Sequence, residues 1–450
     1  MKTVILGSGI AGLSISYFLG HENCLIYEKK NYYGGHVHSY NKNGFVWDEG
    51  PHVSFTNNQF VKDFLKKSLG ESRILEYPVE TVNYYHGDWI PHPAQSNMYA
   101  IPEGLREECF NDFINTRDEN HEIENYKDWL IAAFGPTFYE EFPRKYTEKY
   151  WTVAPEELTT DWIGKRVFYP DVETVKKGYK GDLDEQTHYI KHVRYPKNGG
   201  FVSFLDGIMK NSNIYYRKDA TKIDLIEKRI IFSDDTSINY DRLISTIPLP
   251  DFVKLSDAPN DIESASKKLL YSSILLINIE VSHPAVRNEN WIYVYDKGKY
   301  STRIYCTEIM SRNNAPEGKC GIQVEVYCSK YDKFEKRYSE IARTVIDELI
   351  EMGLVISIDH VINFHTKFVR WGNVIFDHKR KSAQEAILNW LSNYGLVREE
   401  DDLEPLTIWE NKFRANVKLG SIILAGRYAQ WKYYWTDDCV LRGKYISESI

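Results

Sequence analysis

The chain has 450 residues and a net charge of −8. That length predicts two or three structural units, and the acid excess provides no basic field to hold a nucleic-acid backbone. Six cysteines lie far apart with no CxxC pair, which argues against a disulfide framework or a zinc ribbon and fits a reducing cytoplasm. The first apolar run, Val4 to Leu19, carries glycines at 7, 9 and 12, unlike a signal peptide. No other run approaches the roughly 18 to 20 apolar residues of a membrane span, so a soluble protein is expected.

In chain order, "KTVILG" reads as a short strand stopping at Gly7, and "SGIAGLSISYFLG" as a helix with apolar residues at helical spacing. Gly7, Gly9 and Gly12 complete a GxGxxG pattern between strand and helix. Glycine there makes the turn, admits a pyrophosphate to the backbone and lets the helix pack on the strand. A second strand, "CLIYE", ends in Glu28, 21 residues after Gly7, where an acid can accept from both ribose hydroxyls of an adenosine. The unit is read as a dinucleotide site; spacing alone leaves FAD and NAD open.

Next come His36, His38, Asp48, Glu49 and His52 around the pair Gly34-Gly35. Imidazoles and carboxylates are common metal ligands, but nothing further is patterned with these, and no metal is expected. A cofactor pocket wall is the better account.

Glu28, Lys30, Gly34, Gly35 and Ser39 resemble the extended signature of flavoproteins related to amine oxidases, protoporphyrinogen oxidase and UDP-galactopyranose mutase. In register with the mutases are Gly50-Pro51-His52, Thr56-Asn57, Tyr146, Thr147, Lys149, Trp151, Pro155, Glu157, Leu158, Arg166, and then Gly426-Arg427, Lys432, Tyr433, Tyr434 and Asp437. The resemblance covers about half of the chain. It implies an α/β fold: a discontinuous Rossmann-type FAD-binding domain (1–60, 196–250 and 410–450), a helical cap (61–195) and an antiparallel sheet-plus-helix substrate domain (251–409). It implies noncovalent FAD, held by Gly7, Gly9, Gly12, Glu28, Lys30, Gly34, Gly35, Gly426, Asp437, Asp438 and a backbone contact near Ala220.

The resemblance further implies a small-molecule substrate, a nucleotide-linked sugar isomerised between pyranose and furanose through reduced flavin N5. His52, Arg166, Arg427, Tyr433 and Tyr434 are the candidate catalytic residues. Arginine suits a leaving diphosphate because its planar fork grips phosphate bidentately; Arg194 is a further candidate, and each could instead be an ordinary ion pair. Three positions depart from the mutase pattern: Phe55 stands for a histidine, Trp435 for an acid, and "RVFYP" loses an arginine. Two other readings stay open. One is an amine-oxidase or protoporphyrinogen-oxidase type of oxidoreductase, with Trp431, Tyr433, Tyr434 and Trp435 as an aromatic cage. The other is a non-catalytic relative of the prenyl-GTPase dissociation inhibitors, which the intact glycines oppose.

The remaining elements are read from pattern. Residues 103–165 carry aromatic and charged residues at helical spacing. Residues 213–250 read as short strands turning at 233–235, "SSILLINIEV" and "CGIQVEVYC" as strands of a sheet, and 332–352 and 382–396 as helices, the last ended by Gly395. Asp437 is a candidate cap for the final helix, whose first amides could face the cofactor.

Overall fold

A computed structural model describes the chain apart from residues 118–120, 182, 184–186, 188–189, 332–336 and 407–417. Strand β1 (Thr3–Leu6), helix α1 (Ile10–Leu19) and strand β2 (Cys24–Tyr27) form the opening unit. Four consecutive buried residues make β1 a central strand, covered on both faces as parallel strands are. It lies between β2 and Arg242–Ser245 in a five-stranded parallel sheet, with Ile422–Leu424 and Ile214–Tyr215 at the two edges. Strands from the beginning, middle and end of the chain thus share one sheet. The C-terminal helix Thr436–Glu448 packs on α1 so closely that a Cβ at Gly443 would lie 2.8 Å from the Ser14 Cβ.

A three-stranded antiparallel meander, Ala220–Asp224, Arg229–Phe232 and Ser237–Asn239, joins this unit to Arg242–Ser245. Its second turn places Asp235 at φ 60, a conformation that aspartate tolerates better than most side chains.

The second large sheet has seven strands, in the order Val361–Val374, Tyr271–Val281, Cys320–Ser329, Arg303–Cys306, Trp291–Val294, Thr81–Tyr85 and Asp88–Pro91. Alternation along its strands gives it two different faces. Leu275, Ile277, Ile279, Ile322, Val324 and Val326 pack with Ile341, Ala342, Val345, Ile346 and Leu349 of helix Tyr338–Glu351. The opposite face carries Asn278, Glu280, Gln323 and Glu325, all at most 1% exposed. This polar face is buried because the extended segment after β2 covers it and satisfies it. Gln323 donates to the Asp48 carbonyl and accepts from the Gly50 amide, and Asn43 donates to Glu280.

Helices Glu103–Arg117, Tyr126–Phe134, Pro136–Glu141 and Pro143–Tyr150 form the aromatic-rich layer. Asn125 and Asp128 close a capping box at the start of the second, and prolines open the next two at the position where a missing amide costs least. The helices expected at 332–352 and 382–396 occur as Tyr338–Glu351 and Arg380–Ser392; residues 332–336 lie outside the described ones. Among the described residues no helix is long and apolar enough to cross a membrane.

Candidate active site

The turn between β1 and α1 has the geometry of a dinucleotide cradle. Gly7 sits at φ 99, where a side chain would be strained. A Cβ at Gly12 would lie 2.1 Å from the Gly7 carbonyl oxygen, so only glycine lets α1 sit down on β1. At Gly9, by contrast, a Cβ would meet nothing nearer than the Gly35 Cα at 3.8 Å, which leaves open space over the backbone. Helix α1 has neither a side-chain cap nor an acid in its first turn, so its leading amides remain for an anion.

Gly34 and Gly35, at φ 106 and 57, bring the following segment against this turn, where the Gly34 amide donates to the Ser8 carbonyl. Glu28 is buried and accepts from the Ser8 amide, the Ser8 hydroxyl and the Lys30 amide. Its carboxylate is thereby fixed at the end of β2, with acceptor capacity left over for a ribose hydroxyl. These residues fit a dinucleotide.

Beyond this cradle lies a group of charged and aromatic side chains from the segment after β2, from Arg166 and from residues 427–435. The Lys30 ammonium lies 3.7 Å and the His36 ring nitrogen 3.9 Å from the buried Glu49 carboxylate, which also pairs with Lys367. His36 packs against Tyr428, with ring centroids 4.9 Å apart. Arg427 follows Gly426, itself at φ 95, and its Nε donates to the Tyr434 carbonyl at 2.6 Å while the guanidinium lies 5.2 Å from the Tyr433 ring centroid. Arg166 stacks between Tyr433 and Trp435, at 4.4 and 4.2 Å, and donates to the Tyr433 carbonyl at 2.8 Å. Phe55 meets the edge of Trp435 at 4.7 Å, so two of the departures from the mutase pattern touch one another.

Arg166, Arg427 and Tyr433 therefore converge, and Gly426 positions them. His52 faces the same region: its Nδ1 is 3.0 Å from the Gly50 carbonyl, and the charges of Arg427 and Arg303 both act on it. Tyr434 supplies its carbonyl to Arg427, but its ring belongs to the apolar cluster around Ile423 and Val440. Arg194 lies apart, bonded to the Thr56 carbonyl and paired with Glu76. Ala220 begins a strand of the meander. At the final helix the amide-capping carboxylate is Asp438, which accepts from the Trp435 amide at 2.7 Å, rather than Asp437. Among the described residues no three His, Cys, Asp or Glu are grouped to hold a metal ion.

Sequence reading missed a pair on the sheet. Arg303 and Glu325 are directly opposite in neighbouring antiparallel strands and form a two-point ion pair at 2.6 and 2.9 Å. Tyr327 donates to the same carboxylate, and the Arg303 charge acts on Tyr146, Tyr150 and Tyr293. The available signal was the alternation Gln323, Glu325, Tyr327 within "CGIQVEVYC", which marks a polar face.

The site is tuned toward neutral imidazoles. Desolvation pushes His36 and His52 down to about 4, and His365 likewise. The unfolded chain then binds more protons than the folded one between pH 6.5 and about 4, so this stability is lost as pH falls through that window. Asp48, pushed up to about 6 by burial, acts oppositely. Three histidines against one acid predict a melting temperature that drops on acidification from 6.5 to 4. His52→Asn should flatten that drop in thermal melts; an unchanged slope would remove His52 from the set.

Residues 5–68 match the family model of the NAD(P)-binding Rossmann-like domain. The dTDP-fucopyranose mutase of Escherichia coli is 24% identical over 234 residues, 48% of this chain and 55% of that protein. The coproporphyrinogen III oxidase of Staphylococcus aureus is 33% identical over 107 residues, 23% of this chain and 21% of that protein. The chain thus spans about half or less of these curated relatives. Among solved structures, a reduced UDP-galactopyranose mutase superposes with a TM-score of 0.87 at 23% identity, over 99% of this chain and 94% of that one. The chain accordingly has the fold of that mutase, and its resemblance to the flavin-dependent mutase and oxidase group extends from the motifs to the whole architecture.

Proposed function

We propose that the protein is an FAD-dependent enzyme that isomerises a nucleotide-linked sugar between pyranose and furanose forms. In this reading 1–60, 196–250 and 410–450 bind FAD noncovalently, 61–195 cap the site while lending Thr81–Tyr85 and Asp88–Pro91 to the large sheet, and 251–409 complete the substrate domain. The observation that carries it is Arg427. Its guanidinium is largely desolvated and has carbonyl and tyrosine partners, and among the described residues no carboxylate forms an ion pair with it. A partly desolvated cation without a counter-charge calls for an anionic ligand.

Reduced FAD would supply the nucleophile at a flavin ring nitrogen. The chain's own residues do the rest. Arg427 and Arg166 grip the diphosphate and stabilise its charge as it leaves, Tyr433 holds the two arginines apart, and neutral His52 lines the sugar end without adding a competing charge. The protein's six cysteines are buried and none forms a disulfide, in keeping with work in the cytoplasm.

An amine-oxidase reading needs an aromatic cage open to a substrate cation. Here the cage between Tyr433 and Trp435 already holds Arg166, whose charge repels an ammonium, so the anionic substrate is favoured. The test is turnover of a panel of nucleotide sugars under anaerobic conditions, with the flavin oxidised and with it reduced by dithionite. An isomer of unchanged mass is expected in the reduced sample alone. Bleaching of oxidised flavin by a substrate that is not isomerised would replace the proposal with an oxidoreductase.

A further inference from the structure

Lys149 lies on helix Pro143–Tyr150, away from the ligand groups above. Its three N–H bonds are all spent on backbone carbonyls of one turn: Val294 at 3.1 Å, Asp296 at 2.9 Å and Ser301 at 2.6 Å. Burial pushes the Lys149 pKa down to about 7, but an ammonium has three donors and a neutral amine only two, so the three carbonyls of the turn select the protonated form and act as a cage with the lysine as its tethered cation.

The same turn is held from the other side by Glu348 of helix Tyr338–Glu351. Its carboxylate accepts from the Tyr300 amide and from the amide and hydroxyl of Ser301. What the turn joins gives the contact its meaning. Before it is the strand with Tyr293; after it, two residues beyond Ser301, is Arg303. On the helix, Tyr146 and Tyr150 flank Lys149, with Tyr146 edge-on to Tyr293 at 5.6 Å and Tyr150 4.6 Å from Tyr327.

We infer that Lys149 is a positioning residue, a tethered cation that fixes the Val294–Ser301 turn so that Arg303 and Tyr293 meet Tyr146 and Tyr150 of its own helix. The consequence for substrate rests on the proposed nucleotide-sugar reading; the tether itself does not. Charge-assisted hydrogen bonds are the strong ones, and a displacement of about 1 Å in a positioned group can cost on the order of a hundredfold in rate. Lys149→Ala leaves an empty cation cage, whereas Lys149→Met fills the space without charge.

The test uses the flavin-loaded full chain. Amide hydrogen exchange over residues 294–303 is compared in wild type, Lys149→Ala and Lys149→Met, with and without ethylammonium, and UDP affinity is titrated in parallel. Faster exchange is expected in both variants, reversed by ethylammonium in Lys149→Ala alone, together with UDP affinity lower by roughly tenfold to a hundredfold. Unchanged exchange, or loss in Lys149→Ala that ethylammonium leaves untouched, overturns the tether. Faster exchange with unchanged UDP affinity overturns its positioning role. Should Lys149→Ala fail to fold, Lys149→Gln, with two N–H donors and no charge, must show an intermediate exchange rate. If wild type binds neither UDP nor dTDP, the nucleotide-sugar reading fails while the exchange arm still decides the tether.

Discussion

Arg427→Ala is expected to lower turnover of the reduced, flavin-saturated enzyme by about 100-fold to 1,000-fold, the usual cost of removing a preorganised donor from a developing charge. The size follows from what surrounds the guanidinium. Its Nε is committed to the Tyr434 carbonyl, and Tyr433 lies against it. The Nη groups are thereby aimed by contacts that cost nothing to reorganise when the leaving group becomes charged. Arg427→Lys keeps a charge but loses the planar fork; it should fall between, at roughly tenfold below wild type. Steady-state kinetics on samples with equal flavin content separates the effect from cofactor loss. If Arg427→Ala retains kcat/KM within about threefold of wild type, a difference of less than ~1 kcal/mol, the anion-gripping role is lost, and with it the main support for a nucleotide substrate.

The parts of this site that could be read in the sequence are those in which chemistry depends on close spacing along the chain. Gly7, Gly9 and Gly12 act within one turn, and Glu28 belongs to the next strand of the same unit, so their pattern survives as text. The same holds for Gly426-Arg427 and Tyr433, seven residues apart at most. Helix ends are less legible, because they depend on which carbonyls find partners. Arg380–Ser392 begins two residues before its expected start and breaks before Gly395, whose φ of 101 lies in the loop beyond.

Arg303 and Glu325 show what is hidden. They are 22 residues apart and meet only because two antiparallel strands settle in one register; a slip of either strand by one residue would turn its member of the pair to the apolar face. Phe55 and Trp435, 380 residues apart, look like two unrelated departures until folding brings their rings to 4.7 Å. Trp435 is also one of the two rings on which Arg166 lies. The same limit applies to Lys149, whose acceptors are all backbone atoms and so leave no trace in residue types.

Gly9 and Gly12 should separate folding from cofactor binding, although both belong to one motif. Gly9 has φ −70 and ψ 177, which any residue adopts, and a Cβ there meets no protein atom closer than 3.8 Å. Gly9→Val is therefore expected to fold, with a melting temperature close to that of wild type stripped of flavin, and to purify colourless because its side chain fills the space where a pyrophosphate would approach. Gly12→Val meets the Gly7 carbonyl at 2.1 Å and the Ile5 side chain at 3.3 Å, both in the body of the protein. Overpacking of this kind costs about 1 to 3 kcal/mol or more, which should lower the melting temperature even without flavin. Flavin absorbance and thermal melts of the two variants, each against the apoprotein, give the comparison. A yellow Gly9→Val protein with full flavin content would mean that the dinucleotide does not cross the backbone at Gly9. In that case the protein would have to take its cofactor from another side, and the roles proposed for Arg427 and His52 in a reaction at reduced flavin would fall with it.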